Sequence, residues 1–384
     1  MIRISNRWKL AILLLIAGAM LFDRPHADVS ADELAARRAA PFAGVSVARP
    51  LPSLRRRGSP KPWSFQETTK ASKAAIRNGN KFLLKTINRD GGCGVDVGVD
   101  QPSDVGVSSI VGLSLMVQGN TLLEGPRSRE LRRISEYIIK QVRKMSGTSD
   151  VSRQTNTQLQ RKIGYYAHSF FAALFLSQVV GEDANNRDAR QALVKLVNTI
   201  SKAQQSDGSW GRGSWAPTLG TVMGWVSLRG SYSAGFKVKA AADKTAKHLV
   251  SQMNSQRNSG SWMHTLYKQA TGIRVLYSLG KKDDPVTKKA VENVLTLITR
   301  DNRAFAQAGG EEFLAFHLIT DTMLQSGGKD WKRWYPLVRD RIVKVQNADG
   351  SWTGHHCITS RTFCTAAALL VLSAPNRMMP ISQE

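Results

Sequence analysis

The chain has 384 residues, of which 42% are hydrophobic, and a formal net charge of +25 at pH 7. This length allows one large domain or two ordinary ones with a sizeable buried core, and the charge indicates anionic surroundings rather than a particular fold. Three cysteines exclude a scaffold held by several disulfides, although an oxidising compartment would allow one pair and one remaining thiol.

The N-terminal residues have the pattern of a secretory signal peptide. Basic residues precede the apolar run LAILLLIAGAMLF at Leu10–Phe22, which is shorter than the ~20 residues that span a bilayer. Small-residue cleavage sites follow within PHA and VSA. We expect residues 1–31 to be a signal peptide, with an uncleaved N-terminal anchor as the alternative. In both cases the body is exported to the periplasm or cell surface, where it can be membrane-associated.

Residues 32–65 have the composition of a basic, proline-rich, disordered linker. Five prolines and seven Arg or Lys residues lie between Ala35 and Trp63, with few large apolar side chains to build a core. Basic runs such as Arg55–Arg57 often bind nucleic acid. In an exported chain we expect no nucleic acid, and an anionic membrane or wall surface, or merely solvent, as the partner of this linker.

A turn motif with a glutamine six residues before a tryptophan, a QW-like motif, recurs along the rest of the chain. AQQSDGSWG at Ala203–Gly211 returns as VQNADGSWTG at Val345–Gly354, with a weaker copy at Asn254–Trp262. Leu297–Phe305 fits the same frame with phenylalanine in the tryptophan position. INRDGGCGVDVGVD at Ile87–Asp100 fits with cysteine there, so we expect it to be a degenerate first copy of the turn.

Each turn lies between two segments with helical periodicity. The preceding segment is amphipathic and rich in Lys and Arg, whereas the following one is apolar nearly all round and should be buried on more than one side. The six predicted pairs are Lys70–Ile87 with Val105–Val117, Arg129–Met145 with Gly164–Val180, Arg187–Gln204 with Thr218–Leu228, Ala240–Met253 with Thr265–Leu279, Pro285–Thr299 with Glu311–Leu324, and Trp331–Val345 with Arg361–Leu372.

Helical pairs of this kind cannot bury their apolar faces alone, so neighbouring pairs must stack. An open stack needs a polar final face, but the last predicted helix is almost wholly apolar at Phe363–Leu372. We therefore predict an all-α, closed (α/α)6 toroid over residues 66–384, with six inner helices around a central cavity. In its turns, Asp-Gly makes the bend, tryptophan packs between pairs, and glutamine bonds free N–H groups at a neighbouring helix start.

The repeat resembles that of squalene cyclases and protein prenyltransferase β subunits, over roughly Thr68–Pro380. It resembles most the bacterial exported prenyltransferase/squalene-oxidase repeat proteins, through GYYAHSFFAALFLSQVVG at Gly164–Gly181 and the C-terminal TAAALLVLSAPNRMMPISQE. The resemblance implies an α/α toroid. For catalytic members it also implies a prenyl or triterpene substrate, although one fold hosts many functions.

Three catalytic signatures of that superfamily are missing. Squalene-hopene cyclases protonate an alkene with an Asp-x-Asp-Asp motif, and this motif does not occur in the sequence. The most similar segment is the polar turn Lys281–Val286. In protein prenyltransferases a histidine that binds zinc stands at the start of a late inner helix. No histidine stands at the corresponding position here, where Arg361 is the nearest large polar residue. Trp215–Trp225 lacks the acid that many members carry there. We therefore expect no standard cyclase or prenyltransferase activity.

Candidate site residues lie near the beginnings of the inner helices, as does Asp104. His168 is the strongest catalytic candidate, and its alternative is a hydrogen-bonded histidine between helices. Glu311 and Glu312 follow two glycines, where the helix dipole favours acids, so capping is the alternative to an acid or base role. The candidate ligand-binding residues are Tyr165, Trp215, His264, Tyr267 and His317.

In a closed ring, the first and last turns become neighbours. Five residues of these turns offer ligands that zinc prefers: Cys93, Asp96, His355, His356 and Cys357. The alternatives are a Cys93–Cys357 disulfide that staples the ring, and plain turn and packing roles. We expect no cofactor, with zinc as the alternative.

The leading functional hypothesis is an exported repeat domain whose apolar central cavity binds a hydrophobic, isoprenoid-like ligand or a protein segment. One alternative is a divergent terpenoid cyclase or prenyl-processing enzyme that uses His168, Glu311 or Glu312. The other is a toroid that acts on an acidic polysaccharide through Tyr165, His168 and surface cations. A dry aromatic chamber with one buried acid would favour the cyclase, an open cationic groove the polysaccharide, and a filled or shallow centre a scaffold.

Overall fold

The computed structural model describes residues 67–98, 101–211, 213–254, 261–300, 303–376 and 379. All of them belong to one compact unit, Gly44–Glu384. These residues form fourteen α-helices and no strand. Among them, no helix combines the length and apolarity that a membrane span requires. The predicted signal peptide at 1–31 and the predicted linker at 32–65 lie outside the described residues.

Twelve long helices alternate between two kinds along the chain. Six have one wet, charged face: α1 (Lys70–Leu84), α3 (Ser128–Arg143), α6 (Arg187–Ala203), α8 (Lys239–Asn254), α10 (Pro285–Arg300) and α13 (Gly328–Lys344). Six are more apolar: α2 (Val105–Met116), α5 (Ala167–Glu182), α7 (Pro217–Ser233), α9 (Trp262–Ser278), α12 (Gly310–Ser326) and α14 (Arg361–Ser373). Two short helices, α4 (Gln158–Lys162) and α11 (Arg303–Ala306), lie in the connections before α5 and α12.

The six apolar helices form a closed inner ring. Contacts run from α2 to α5, α7, α9, α12 and α14 in chain order, and α14 packs back against α2. The outer layer closes at the same place, since α13 and α14 both contact α1. The predicted (α/α)6 toroid is therefore confirmed, and because each inner helix follows an outer one, all six inner helices begin at the same end of the ring.

Inner helices are buried on nearly every side. All twelve residues of α2 are buried, as are all but two of sixteen in α5 and all but one of thirteen in α14. Glycines permit close approach: a Cβ at Gly112 would lie 2.4 Å from Cε2 of Phe175, and one at Gly224 would lie 2.7 Å from Cε3 of Trp210. Along α2, α5 and α14, packed side chains therefore occupy the interior of the ring.

The repeat turns share one backbone geometry. Gly91, Gly208 and Gly350 have φ of 90°, 93° and 90°, which glycine adopts without the penalty that a Cβ brings. A Cβ at these positions would lie 2.5 Å or 2.6 Å from a carbonyl oxygen of an adjacent outer helix. The turn at Gly91 thus has the geometry of the other two, as predicted for a degenerate first copy. The three carbonyls belong to Arg133, Lys244 and Asn78.

Tryptophan and glutamine make the same contacts in the two best-formed turns. The indole N–H donates to a carbonyl of the preceding outer helix at 2.8 Å, and the glutamine amide donates to a carbonyl of the adjacent outer helix at 2.9 Å. The predicted bond from glutamine to free helix-start N–H groups is therefore wrong, because the amide reaches past the helix start. The indole bonds are Trp210 to Ile200 and Trp352 to Ile342, and the amide bonds are Gln204 to Ala241 and Gln346 to Ala75.

Candidate functional site

Most of the predicted site residues lie at the end of the ring where the inner helices begin, in two groups. The His168 cluster comprises Asp104, Asp150 and His168. The Glu312 cluster comprises Tyr267, Glu311, Glu312, His356 and Cys357. Ile358 connects the two, since it lines a cleft beside Asp104 and its backbone N–H donates to Glu311.

His168 is entirely buried between two carboxylates. Its Nδ1 lies 2.8 Å from Oδ2 of Asp150, and its Nε2 lies 3.1 Å from Oδ2 of Asp104. Asp104 is also the N-cap of α2, where Oδ1 accepts the N–H of Val107 at 2.9 Å. Asp150 Oδ1 accepts both the N–H and the hydroxyl of Ser169. The three side chains are therefore fixed by the starts of α2 and α5.

The charges of the His168 cluster follow from these contacts. Burial by itself would lower the pKa of His168, but the charges and hydrogen bonds of Asp104 and Asp150 raise it to about 10. Burial would raise the pKa of Asp104, but the His168 cation and backbone N–H bonds lower it. At neutral pH the cluster contains an imidazolium and an ionised Asp104, so His168 must lose a proton before it can act as a base.

A cleft of about 450 Å³ opens beside Asp104. Asp96, Asp104 and Arg361 contribute charged groups to its wall, and Val107 and Ile358 contribute apolar ones. Hydroxyl and amide side chains supply much of the remainder. They are Gln154, Thr155, Asn156, Thr157, Gln158, Thr359 and Ser360.

Two contacts across the cleft hold its walls together. The Gln158 amide donates to the Thr359 hydroxyl at 2.9 Å, and the Thr359 N–H donates back to Gln158 Oε1 at 3.1 Å. Arg361 pairs with Asp96 at 3.3 Å and also with Asp349. The cleft thus spans residues before α5 and residues of the last turn, and Asp96 has a cationic partner within its wall.

Glu312 anchors the second cluster. Its Oε1 accepts a hydrogen bond from the hydroxyl of Tyr267, and its Oε2 accepts the N–H of Gly309 at 2.6 Å. His356 Nε2 lies 3.3 Å from the same Oε2. Burial raises the pKa of Glu312, and burial together with the charges of Glu312 and Glu311 raises that of Tyr267. The bond to Gly309 is the capping role considered from the sequence, here combined with two side-chain contacts.

Glu311 is completely buried, and only one of its two carboxylate oxygens has a hydrogen-bond partner. Its Oε2 accepts the N–H of Ile358 at 3.2 Å, but Oε1 has no hydrogen-bond partner. Burial, and then the charge of Glu312, raise the pKa of Glu311 to about 7. Glu311 is therefore the group in this cluster that can exchange a proton near neutral pH.

A row of rings leads from the Glu312 cluster towards solvent. His264 lies 5.9 Å from the Tyr267 ring and 5.1 Å from the Trp215 ring, which is 45% exposed. Lys162 lies 5.2 Å above Trp215. Tyr165 is exposed and packs edge-on against Tyr166, whereas His317 lies further along α12, near Asp321 and Arg274.

Of the five predicted metal ligands, the structure brings His356 and Cys357 together. Ligand atoms of His356 and Cys357 lie within 4.8 Å of each other and of Glu311, which the sequence did not assign to a metal. His355 is exposed, and its N–H donates to Ala308. The packing of the consecutive inner helices α12 and α14 places the start of α12 beside the last turn, and this neighbourhood is the signal that could have identified Glu311.

Cys93 lies apart from that group. All three cysteines are free, so the Cys93–Cys357 disulfide considered as an alternative is not formed. Cys93 fills the tryptophan position of the first turn, where it is fully buried and its N–H donates to the Ser108 hydroxyl at 2.8 Å. Burial raises the pKa of its thiol to about 12. These contacts make Cys93 a packing residue.

No protein-family description matches the chain, and no curated protein matches it. Solved structures do. The type II terpene cyclase MstE from Scytonema, as a variant in complex with geranylgeranyl dihydroxybenzoate, is similar with a TM-score of 0.52 and 14% identity, over 80% of this chain and 98% of that one. The GH76A alpha-1,6-mannanase from Salegentibacter sp. HEL1_6 is similar with a TM-score of 0.56 and 8% identity, over 79% and 99%.

An inactive variant of the same mannanase, in complex with alpha-1,6-mannotriose, is similar with a TM-score of 0.54 and 7% identity, over 80% of this chain and 100% of that one. At these identities the similarities show the fold alone. They confirm the α/α toroid that the resemblance implied. This fold is common to a terpene cyclase and a mannanase, so it does not choose between a lipid-like and a saccharide ligand.

Proposed function

We propose that the protein binds a saccharide chain in the cleft beside Asp104. The observation that carries the proposal is the cleft wall, which combines hydroxyl and amide side chains with a carboxylate held ionised by His168. Sugar hydroxyls both donate and accept, as the amides and hydroxyls of the wall do, and ionised Asp104 adds a strong acceptor.

An isoprenoid chain suits this cleft less well. It has no hydroxyl groups, so the polar groups that it covered would lose water without gaining partners. Each such loss costs roughly 1–3 kcal/mol in proteins. The wall holds seven amide or hydroxyl side chains, of which Gln158 and Thr359 already bond each other. An isoprenoid chain that covered apolar residues such as Val107 and Ile358 would take water from the others without offering them a partner.

Aromatic and cationic residues near the cleft support the same class of ligand. Trp215 lies beside α4, since its N–H donates to the carbonyl of Arg161 at 3.1 Å, and Tyr165 follows α4 in the chain. Both rings are about half exposed and offer flat faces to the apolar face of a sugar ring. The net charge of the whole chain, +25, attracts polyanions to the molecule. Within the cleft wall, which also holds the carboxylates of Asp96 and Asp104, Arg361 is the group that would pair with the carboxylate of an acidic saccharide. The fold of the mannanase, which acts on a saccharide, is consistent with this proposal.

The export pattern and basic linker fit this activity. An exported chain with a cationic tether would meet acidic polymers at an envelope or cell surface. We propose that the linker holds the toroid near such a surface, where the cleft takes its ligand.

A divergent terpenoid-processing enzyme is the second candidate. It is favoured by Glu311, a buried acid whose pKa is raised to about 7, beside the ring row of Tyr267, His264 and Trp215. Here Glu311 would be the proton donor. Lipids extracted from the purified protein would identify this case by mass spectrometry.

Calorimetric titration with neutral and uronate-containing oligosaccharides tests the leading proposal. We expect binding that favours uronates, and a loss of roughly tenfold or more in Asp104→Asn, which removes a charge-assisted bond but keeps an N-cap acceptor. Gln154→Ala should weaken binding, whereas Asn185→Ala, in the loop after α5 at the opposite end of the ring, should not. Failure of every oligosaccharide to bind, with an isoprenoid lipid in the extract, would transfer support to the second candidate.

A further inference from the structure

Glu311, His356 and Cys357 bring three metal-ligand atoms together between the start of α12 and the last turn. One carboxylate oxygen, one imidazole nitrogen and the thiol sulfur lie within 4.8 Å of one another. In a tetrahedral zinc site the ligand atoms are about 3.3–3.8 Å apart, from metal distances of about 2.0–2.3 Å. Small side-chain movements would therefore close the group around one ion.

The orphaned oxygen of Glu311 points to a missing partner. The side chain is fully buried, and Oε1 has no hydrogen-bond partner, whereas Oε2 accepts the N–H of Ile358. A buried carboxylate oxygen without a partner has lost its water without gaining a hydrogen bond, which is unfavourable. A bound cation at this oxygen would remove that cost.

The surroundings of His356 resemble the support that metal-binding histidines receive. Nε2 lies 3.3 Å from Oε2 of Glu312, which Gly309 and Tyr267 hold in place. Both ring nitrogens of His356 are buried without a hydrogen-bond partner in this structure. A slight rotation of the ring would let Glu312 bind Nε2 and orient the ring, which leaves Nδ1 for a metal. A Cβ at Gly309 would lie 3.0 Å from Nδ1 and 3.1 Å from Oε2 of Glu311, so the missing side chain leaves room for both groups.

We propose that Glu311, His356 and Cys357 bind one Zn²⁺ ion, with Glu312 as the residue that positions His356. A carboxylate, an imidazole and a thiolate are ligands that zinc accepts, and three protein ligands leave a fourth position open. His356 is 29% exposed, so the ion and a water molecule can reach the site from solvent. The inference is independent of saccharide binding, because it rests on a different cluster.

Metal content and cobalt spectroscopy of the full chain test the site. The purified protein is stripped with a chelator, titrated with Zn²⁺ and measured by elemental mass spectrometry, and a parallel sample is titrated with Co²⁺. We expect one equivalent of metal and a thiolate-to-cobalt charge-transfer band in the near ultraviolet. Cys357→Ser should abolish the band, and Glu312→Gln should weaken zinc affinity by roughly 10–100-fold while the band remains.

Two matched variants separate this site from unspecific binding. His355→Gln removes the adjacent exposed histidine, and Cys93→Ser removes a buried thiol outside the group; both should keep one equivalent of metal. Cys357→Gly is a second variant without the thiol, and it suits the left-handed φ of 55° at this position. Less than stoichiometric zinc in the wild type, or a cobalt band that survives in both Cys357 variants, would overturn the proposal.

Discussion

Asp104 and Glu311 are buried carboxyl groups whose surroundings set opposite charge states. Burial raises the pKa of both, but at Asp104 the His168 cation and backbone N–H bonds outweigh it, and the pKa is lowered. At Glu311 the charge of Glu312 adds to burial, and the pKa is raised to about 7. Asp104 is therefore a fixed acceptor for ligand hydroxyls, whereas Glu311 can hold a proton or a cation.

The pH dependence of stability reports the charge of His168. The pKa of His168 in the folded protein, about 10, lies above the ordinary value of 6.5. Its contribution to the free energy of unfolding is therefore fully present below pH 6.5 and is lost as the pH rises through about 10. Asp104 acts in the opposite sense, because its pKa is lowered in the folded protein. Its contribution to the free energy of unfolding is present above pH 3.8 and is lost as the pH falls through its folded pKa.

We therefore expect the wild type to lose stability relative to His168→Gln between pH 7 and pH 8.5, by up to about 1.4 kcal/mol per pH unit. Urea unfolding at several pH values measures this difference, and the comparison cancels groups that both proteins share, such as Glu311 and the thiols. His355→Gln, which alters an exposed histidine, should follow the wild type. Parallel curves for wild type and His168→Gln would contradict a charged His168.

At the residue scale, the sequence predicted which side chains lie together at the helix starts, whereas their roles stay predictions. Tyr267, Glu311 and Glu312 were assigned from their positions at inner-helix beginnings, and they do meet. Asp150 was missed because it lies in a connection without a motif, and only the packing of that connection on α5 brings it to His168. Contacts of this kind have no sequence period to reveal them.

At the scale of elements, hydrophobic periodicity predicted all six helical pairs to within a few residues at most ends. The exception is α7, expected to end at Leu228 but continuing to Ser233. Serine hydroxyls there donate to carbonyls one turn earlier, as Ser231 does to Ser227 at 2.8 Å, so polar residues continue the helix. The five-residue α4 was not predicted, because it is too short to show a period.

The repeat turns yield a prediction about backbone crowding. Gly350 and Gly213 have similar φ, 90° and 85°, but a Cβ at Gly350 would lie 2.5 Å from the carbonyl oxygen of Asn78, whereas one at Gly213 meets nothing within 4 Å. We expect Gly350→Ala to lower the free energy of unfolding by about 1–3 kcal/mol more than Gly213→Ala. Urea denaturation followed by tryptophan fluorescence measures both, and equal losses would show that the turn does not press against α1.

At the scale of the whole molecule, the ring closes through the same kind of contact that joins neighbouring helical pairs within the chain. Gln346 of the last turn donates to Ala75 of α1, just as Gln204 donates to Ala241 of α8, each at 2.9 Å. The apolar last helix predicted this closure from the sequence, because such a face needs cover. The ligand could not be predicted in the same way, because the catalytic signatures of the resembling families are absent and the cleft forms from distant segments.

Closure predicts similar costs for two glutamine substitutions. Gln346→Ala and Gln204→Ala should each lower the free energy of unfolding by about 1 kcal/mol, the ordinary net value of such a bond. Chemical denaturation of both variants measures the comparison. A cost near zero for Gln346→Ala alone would indicate a ring that is open in solution between α13 and α1.

Hydrogen exchange in the presence of an oligouronide tests whether the cleft beside Asp104 binds a saccharide. We expect slower amide exchange at residues 154–159 and 358–361, the two segments that supply most of the cleft wall. The loop after α5, around Asn185, should exchange at an unchanged rate. No protection at saturating oligouronide, or protection confined to the ring row at residues 262–268, would contradict the claim.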